Sequence, residues 1–245
     1  MKSLIVLPAF NEKENIVNLI NDILNISNNF YIVLIDDNSP DNTFELVQNF
    51  KDTLNLNQSK RLHLISRPNK DGRGSAVWDG MKWGIANKFH EFECYIEMDC
   101  DFSHDPKYLM TGIQYIKDGN EVVLASKYPD GKTIGWPLRR VILSFLSNML
   151  CRLLIQWNIG DYTNGYRFYS KNSIEILLRS NMVHRGYINL SESIAILLKN
   201  NIKIKSFPIV FINRLEGKSK TNFKELKDSL LAIFKISYRF WFEKN

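Results

Sequence analysis

Residues 97–106 read Glu-Met-Asp-Cys-Asp-Phe-Ser-His-Asp-Pro, and the other sequence features are arranged around this acidic stretch. It follows the apolar residues Tyr95 and Ile96, which indicate the end of a buried strand, and its proline is well placed to begin a helix. Asp99 and Asp101 lie two residues apart, so a turn at the strand end can bring both carboxylates to one cation. Mg²⁺ and Mn²⁺ prefer such oxygen ligands. The spacing alone also fits a solvated acidic turn, so the metal hypothesis depends on the rest of the chain.

Composition indicates an ordinary globular protein. The chain has 245 residues, of which 44% are hydrophobic and 24% charged, enough for one large domain or two small ones. Its three cysteines contain no Cys-x-x-Cys pair and its four histidines are scattered, which disfavours a disulfide framework or a zinc site and fits a reducing cytoplasm. The first residues run directly into a strand-like segment, so we expect no signal peptide. No apolar stretch reaches about 18 residues, so we expect no membrane span.

The positive charge is concentrated near the C-terminus. Residues 199–245 carry 11 Lys/Arg against 4 Asp/Glu, whereas the whole chain has a net charge of only +6. A basic segment of this kind fits nucleic acid, an anionic membrane surface, a phosphate-bearing ligand or simply a solvated helix face. Charge alone does not choose among these alternatives.

Apolar runs and helical patterns alternate along the first half of the chain. This alternation predicts an α/β protein with a mostly parallel sheet, in which ligands bind beyond the carboxyl ends of the strands. Polar clusters at 36–37, 67–74 and 99–101 all follow predicted strands, which favours a site there. No Gly-x-Gly-x-x-Gly follows the first strand, and no Walker loop is present. The strands are predicted at 3–7, 31–35, 62–66, 95–98 and 121–126. The helices for which the pattern predicts both ends are 76–86, 106–116, 141–155 and 226–242.

Several motifs resemble those of known enzymes. Pro8-x-Phe10-Asn11-Glu12, the run Asp-Asp-Asn-Ser-Pro-Asp at 36–41, Lys70-x-Gly72-x-Gly74-x-Ala76 and Asp99-x-Asp101 resemble the nucleotide-sugar domain of family 2 glycosyltransferases. A second set narrows the resemblance to the dolichol-phosphate (polyprenol-phosphate) mannosyltransferases, and it comprises Ser103-His104-Asp105-Pro106, Gly135-Trp136, Arg139-Arg140, Asp161-x-Thr163, Gly186-Tyr187 and Arg214-x-x-Gly217-x-Ser219-Lys220. Together the motifs span roughly residues 3–220. Arg73 and Lys127 depart from the family pattern, which usually has leucine and arginine there, and Phe10 stands where tyrosine is usual.

The resemblance implies a GT-A fold with C-terminal helices, and a metal-dependent, inverting hexosyltransferase. Its donor would be GDP-mannose, its acceptor a dolichyl-type polyprenyl phosphate and its cofactor Mg²⁺ or Mn²⁺. Asp99 and Asp101 would hold the metal and, with Arg140, act in catalysis, while Arg139 and Arg140 would bind the acceptor phosphate. The residues implied in donor binding are Pro8, Phe10, Glu12, Ile35, Asp37, Lys70, Asp99, Cys100, Asp101, Ser103, Lys127, Arg214 and Lys220. Residues 1–220 would form the catalytic domain and 221–245 a basic amphipathic helix.

The reaction type can also be considered from chemistry alone. A leaving diphosphate needs its growing charge neutralised, which a divalent ion and basic side chains can do. A phosphate acceptor is already anionic, so it needs cationic positioning more than a general base. Two alternatives stay open: another family 2 enzyme using a UDP-sugar such as UDP-glucose with polyprenyl phosphate or a saccharide as acceptor, and a non-catalytic nucleic-acid-binding domain. The second lacks a recognition motif, so we expect no nucleic-acid partner.

Two apolar segments suggest how the chain meets a lipid. Residues 226–242 mix aromatic and basic side chains, as helices lying in a membrane interface do, and 141–155 is apolar with serine and asparagine on one side. Packing on the sheet or on another subunit would give the same apolar face. We expect a cytoplasmic protein, peripherally associated with the cytoplasmic face of a membrane, and a membrane-anchoring subunit could assist it.

Overall fold

The structure, a computed structural model, describes residues 1–87, 89–213 and 223–243, and for 223–230 it describes the helix but not the side chains. In these ranges the strands are β1 (Ser3–Ala9), β2 (Phe30–Asp36), β3 (Leu62–Ser66), β4 (Cys94–Glu97), β5 (Val122–Ser126), β6 (Lys132–Ile134), β7 (Arg167–Ser170), β8 (Ile204–Pro208) and β9 (Val210–Ile212). The α-helices are α1 (Ile16–Ile26), α2 (Thr43–Thr53), α3 (Leu56–Ser59), α4 (Arg73–Ala86), α5 (Leu109–Lys117), α6 (Leu138–Leu154), α7 (Lys171–Arg179), α8 (Asn189–Lys199) and α9 (Phe223–Phe242).

Seven of these strands form one sheet in the order β3-β2-β1-β4-β7-β5-β8. Its strand pairs are parallel except for β7, which runs antiparallel to both β4 and β5. β6 and β9 form a separate, parallel two-stranded sheet. The predicted mostly parallel α/β fold is therefore confirmed.

Helices cover both faces of the sheet, which explains why its central strands are apolar throughout. Along β1, Ile5 and Leu7 pack into a core with α1 and α5, whereas Leu4 and Val6 pack on the opposite face with α4, α7 and α8. All four side chains are fully buried. The order of the strands brings the carboxyl ends of β1, β2 and β4 to one edge, where the polar clusters follow.

β1 is longer than predicted and contains a proline. Its ladder with β4 ends at the pair Val6 and Glu97, so Pro8 lies beyond that ladder and pairs only with Ile35 of β2. A proline is tolerated in a central strand where the neighbouring ladder has ended. This local break opens the sheet between β1 and β4, directly beside the acidic stretch.

The second half of the chain contains elements that the sequence pattern did not predict: β6, β7, α7, α8, β8 and β9. The most consequential is β7, a four-residue strand that inserts between β4 and β5. It begins with Arg167, which is fully buried, and a charged residue in so short a run masks the strand pattern.

The C-terminal helix α9 packs against α6 and α8. Arg239 of α9 donates to the buried Glu192 of α8 at 2.9 Å, and Ser237 donates to the carbonyl of Leu154 at 2.8 Å. The predicted division at residue 220 lies outside the described residues, so the two-part organisation stays a prediction. None of the helices in the described ranges has the length and apolar character that crossing a bilayer requires.

Candidate active site

The acidic stretch forms a tight turn after β4. Asp101 is only 6% exposed, and its Oδ1 accepts hydrogen bonds from the Ser103 backbone N–H at 3.1 Å and from the Ser103 hydroxyl at 2.5 Å. Phe102 between them has a φ of 59°, in the left-handed region that few side chains other than asparagine and aspartate adopt. Cys100 is buried, and its thiol donates to the carbonyl of Pro8 at 3.3 Å, which ties the turn to β1.

A guanidinium group lies against the first aspartate. Arg73 Nε donates to Asp99 Oδ1 at 2.6 Å, Nη1 to Glu97 Oε2 at 3.3 Å and Nη2 to the Gly165 carbonyl at 3.2 Å. Its side chain is 9% exposed, while those of Glu97 and Asp99 are 1% and 25% exposed. Burial lowers the pKa of Arg73, but the charges of Asp99 and Glu97 outweigh burial and raise that pKa above its usual range.

His104 links the acidic turn to the segment before β7 through hydrogen bonds at both ring nitrogens. Its Nδ1 accepts the backbone N–H of Asp99 at 2.8 Å, so Nε2 carries the ring proton and donates to Asn164 Oδ1 at 2.8 Å. Burial of the ring lowers the pKa of His104, which favours this neutral form. His104 thus fixes the backbone that carries Asp99.

The loops after β1 and β2 lie at the same edge of the sheet. The Phe10 ring is half-buried, and Lys70 Nζ lies 3.8 Å from its centre. Asp37 is buried and pairs with Arg67 at 2.6 Å; burial raises the pKa of Asp37, and Arg67 opposes that rise. Glu12 is partly exposed, and its backbone N–H donates to the Thr43 hydroxyl at 3.0 Å.

The glycine-rich loop leads directly into α4. Gly72 has a φ of 94°, and a Cβ there would lie 2.7 Å from the carbonyl oxygen of Arg185. Only glycine meets both requirements without strain. Because of this turn, α4 begins at Arg73, three residues before the predicted start at 76, so that Arg73 lies in its first turn.

Lys127 forms a buried ion pair rather than a surface cation. Its Nζ lies 2.9 Å from Asp161 Oδ2, with side-chain exposures of 3% and 0%. Burial lowers the pKa of Lys127, and the negative charge of Asp161 reduces that shift. For Asp161, burial would raise the pKa, but Lys127 and backbone N–H donors outweigh burial and lower it. Asp161 also accepts the backbone N–H groups of Lys127, Thr163 and Asn164, so it shapes the segment before β7.

Arg139 and Arg140 lie in the first turn of α6. Arg139 is exposed, whereas the Arg140 guanidinium stacks 3.8 Å from the centre of the Trp136 ring and donates to Asn213 Oδ1 at 2.9 Å. A cavity of about 640 Å³ links this region to the acidic turn, because Asp101 and Asn213 both line it. Its other lining residues are Asp22, Asn25, Ile26, Phe102, Asp105, Pro106, Lys107 and Ile212.

The oxygen donors of the acidic turn fit a divalent cation. Asp99 and Asp101 supply carboxylate oxygens, and Mg²⁺ in proteins commonly binds one or two carboxylates and completes its shell with water and substrate phosphates. Within the described ranges, no three or more His, Cys, Asp or Glu side chains are grouped to hold a metal by themselves.

The structure brings many of the sequence-predicted site residues to one edge of the sheet. Pro8 and Cys100 are in contact, and Asp99, Asp101 and Ser103 share one turn. The Lys70 ammonium group lies over the Phe10 ring. The Ile35 side chain is fully buried in β2. Arg214 and Lys220 lie outside the described residues. The predicted roles of all these residues stay predictions.

Sequence reasoning assigned no site role to two buried charged residues beside the aspartates, Arg73 and Glu97. Arg73 was visible only as a departure from the family's usual leucine, and Glu97 only as part of the acidic stretch. Their proximity depends on how α4 packs against β1 and β2 of the sheet, which no local spacing reveals.

A mostly parallel sheet with paired aspartates after a central strand is the architecture of a GT-A glycosyltransferase. A family model described as "Glycosyl transferase family 2" matches residues 4–178 of the chain. This match covers most of the chain, and the protein therefore belongs to glycosyl transferase family 2.

Two curated relatives resemble nearly the whole chain. The polyprenol monophosphomannose synthase of Mycolicibacterium smegmatis is 30% identical over 237 residues, which cover 96% of this chain and 86% of that protein. The undecaprenyl-phosphate mannosyltransferase of Micrococcus luteus is 27% identical over 223 residues, covering 90% of this chain and 87% of that protein. The predicted resemblance to polyprenol-phosphate mannosyltransferases is confirmed.

Solved structures support the fold. The glucosyl-3-phosphoglycerate synthase of Mycobacterium tuberculosis, in complex with Mn²⁺, UDP and phosphoglyceric acid, matches with a TM-score of 0.70 at 14% identity, covering 100% of this chain and 80% of that one. A second complex of that enzyme, with Mn²⁺ and UDP-glucose as well as phosphoglyceric acid, has a TM-score of 0.69 at 15% identity and covers 98% and 79%. At this identity the likeness concerns the fold alone.

Proposed function

We propose that the protein is an inverting glycosyltransferase that moves mannose from GDP-mannose to a polyprenyl phosphate with the help of Mg²⁺ or Mn²⁺. The observation that carries this proposal is the turn holding Asp99 and Asp101 at the carboxyl edge of the sheet. The substrate class rests on the similarity to two enzymes named for mannose transfer to polyprenyl phosphates.

The donor nucleoside binds over β1 and β2. The half-buried Phe10 ring offers a flat apolar surface for the base, and Lys70 beside it offers a positive charge to the diphosphate. Asp37, held by Arg67, can accept hydrogen bonds from a sugar or base at this edge. Glu12 and the backbone near Pro8 and Ile35 complete the nucleoside site. Ser103 and Cys100 contribute by shaping the turn that faces the diphosphate.

Asp99 and Asp101 would hold the divalent ion, which, when bound, would act as a Lewis acid and offset the charge of the leaving diphosphate. Lys127 is enclosed with Asp161, so its contribution to donor binding acts through the segment before β7. Arg214 and Lys220 are proposed to bind donor phosphates on the strength of their family motif alone.

The acceptor phosphate is the nucleophile, and because its oxygens are already anionic it needs no general base to deprotonate it. One of its anionic oxygens forms the new bond to the anomeric carbon while the bond from that carbon to the diphosphate oxygen breaks, and GDP leaves with the electron pair. Arg139 and Arg140 orient the phosphate, since guanidinium forks match phosphate oxygens. The stacking of Arg140 on Trp136 fixes one of these forks in place.

Exposed apolar stripes on α6 and α9 support peripheral binding to a membrane. On α9 the exposed side chains follow a helical repeat, and a second repeat lies on α6, with which α9 packs. Patches of this kind mark interaction surfaces in proteins. We propose that they meet the cytoplasmic face of the membrane that carries the lipid acceptor, with or without an anchoring subunit. The stripes comprise Leu231, Phe234, Tyr238, Trp241 and Phe242 on α9, and Leu138, Ile142, Phe145, Leu146 and Leu153 on α6.

The decisive experiment measures transfer of labelled mannose from GDP-mannose into an organic-soluble product, together with thermal stability. A donor that binds the native state raises the unfolding midpoint by mass action, and GDP-mannose should do so only with Mg²⁺ or Mn²⁺. Asp101→Asn should reduce transfer by about 100-fold or more, because it removes charge that positions the ion. Asp118→Asn is the matched control, since that exposed carboxylate lies at the end of α5.

Other outcomes would redirect the proposal. A response to UDP-glucose instead of GDP-mannose would keep the reaction type and change the donor. Metal-independent, salt-sensitive binding of DNA or RNA without any donor response would contradict the enzymatic proposal.

Membrane binding is tested by co-sedimentation with anionic liposomes at low salt. Phe234→Ser combined with Phe242→Ser should weaken binding, because it removes two rings that are 55% and 73% exposed on α9. Phe89→Ser is the control, an even more exposed phenylalanine that belongs to neither stripe. Equal losses in all variants would contradict a role for α9.

A further inference from the structure

Arg73 is built into the acidic turn. Its guanidinium reaches three acceptors, on Asp99, Glu97 and Gly165, at 2.6, 3.3 and 3.2 Å. The space it fills is available because residue 165 has no side chain: a Cβ there would lie 2.3 Å from Arg73 Nη2. The glycine at position 165 therefore leaves room for the Arg73 guanidinium beside Asp99.

The local charges show what this cation does. Glu97, Asp99 and Asp101 bring three carboxylates to the end of β4 and the turn after it, and two guanidinium groups, Arg73 and Arg167, pair with this group. One negative charge is left over, whereas two would be left if Arg73 were neutral. A divalent cation is attracted more strongly to the second arrangement, and the partly buried setting weakens that attraction less than bulk water would.

We propose that Arg73 is a positioning residue that competes with the divalent ion for Asp99, so that the free protein binds the ion weakly and gains affinity for it when a donor diphosphate is present. This inference rests on the proposed function, which assigns the metal to Asp99 and Asp101. The diphosphate supplies the negative charge that Arg73 offsets, so ion and donor enter together. By linkage, the ion must raise the affinity for the diphosphate by the same factor.

The test measures Mn²⁺ affinity directly, from the electron paramagnetic resonance signal of free Mn²⁺, without nucleotide and with GDP. Arg73→Gln keeps a hydrogen-bond donor but removes the charge, and it should tighten Mn²⁺ binding without nucleotide by about tenfold, within the range by which residues around a metal site change its affinity. The strengthening that GDP adds should be smaller in this variant than in the wild type. Arg73→Lys retains the charge and should bind Mn²⁺ as the wild type does.

Two further variants make the result interpretable. Arg73→Leu repeats the charge removal, so a folding defect in one substitution does not decide the outcome, and the thermal midpoint checks each variant. Arg179→Gln is the control, because that arginine is 81% exposed on α7 and pairs with Glu175 on the same helix.

The outcomes separate this inference from the function it rests on. Unchanged or weaker Mn²⁺ binding in folded Arg73→Gln and Arg73→Leu would overturn the competition while leaving the metal site intact. No Mn²⁺ binding by any variant, with or without GDP, would overturn the metal site and this inference with it. Tighter binding in both charge-removing variants, with Arg73→Lys unchanged, would support it.

Discussion

The substitution Lys127→Met distinguishes a structural cation from one that binds the donor. The sequence predicts that Lys127 contacts the donor, but its ammonium group lies 2.9 Å from Asp161 Oδ2, and both side chains are almost completely buried. Methionine keeps most of the apolar stem and removes the charge. We therefore expect the main effect of the substitution to be on stability, because it leaves the Asp161 carboxylate buried without its cation.

The size of the effect follows from the burial of the pair. Removing one partner of a buried ion pair costs about 3–5 kcal/mol. Asp161 keeps three backbone N–H donors, from residues 127, 163 and 164, so the lower end of that range applies. A loss of about 3 kcal/mol should lower the midpoint of thermal unfolding by about 6–12 °C in a chain of this size.

Urea unfolding of Lys127→Met, Asp161→Asn and the double variant measures this directly. The double variant should lose less than the two single losses added together, since the uncompensated charge is gone. Lys203→Met, at an exposed lysine, is the control and should stay within about 0.5 kcal/mol of the wild type. A Lys127→Met protein with wild-type stability and a much weaker affinity for GDP-mannose would refute this reasoning and favour a direct contact with the donor.

Two other contacts give further expectations. Glu192 is buried and accepts hydrogen bonds from His184 and from Arg239 of α9. Burial would raise the pKa of Glu192, but His184 and backbone N–H donors outweigh burial and lower that pKa. The stability that Glu192 contributes is therefore present above its unfolded pKa of about 4.3 and is lost as the pH falls through the lower folded value. Glu192→Gln should therefore destabilise the protein at pH 7 and flatten the acid limb of its stability profile, measured by urea unfolding from pH 7 down to pH 3; an unchanged profile would contradict this. Gly165→Ala should push the Arg73 guanidinium away from Asp99 and raise Mn²⁺ affinity as Arg73→Gln does, measured by the same resonance titration, and unchanged affinity would show that the guanidinium shifts without releasing the carboxylate.

The first half of the fold was predictable because its signals are local. A central strand covered on both faces must be apolar throughout, and a parallel strand must end at the edge where its helix begins. Ser3–Ala9 and Phe30–Asp36 obey both constraints, and Leu62–Ser66, at the edge of the sheet, obeys the second, so the sequence predicts all three to within a residue or two. The position of the acidic turn after β4 follows in the same way.

The missing parts depend on distant contacts. Arg167 begins β7 as a fully buried charge, which is tolerable because its guanidinium is surrounded by Glu97, by the Ser193 hydroxyl and by the backbone carbonyls of Tyr162, Asn164 and Leu190. No pattern within 167–170 signals that environment. For the same reason the sequence does not reveal that Lys127 pairs with Asp161, which lies 34 residues away.

The unpredicted segment before β7 is also what holds the candidate site together. Its residues, together with Arg167 at the start of β7, contact side chains in and around the acidic turn: Asn164 accepts from His104, the Gly165 carbonyl accepts from Arg73, Asp161 pairs with Lys127, and Arg167 lies 3.8 Å from Glu97.

His104 and Arg73 in turn hold the backbone and the carboxylate of Asp99. The turn also includes Phe102 at a φ of 59°, a conformation that costs an ordinary side chain about 1–2 kcal/mol and that persists only where the surroundings enforce it. The antiparallel insertion of β7 brings those surroundings to the carboxyl end of β4. The parallel strands therefore set where the aspartates lie, and the antiparallel one sets how they are held.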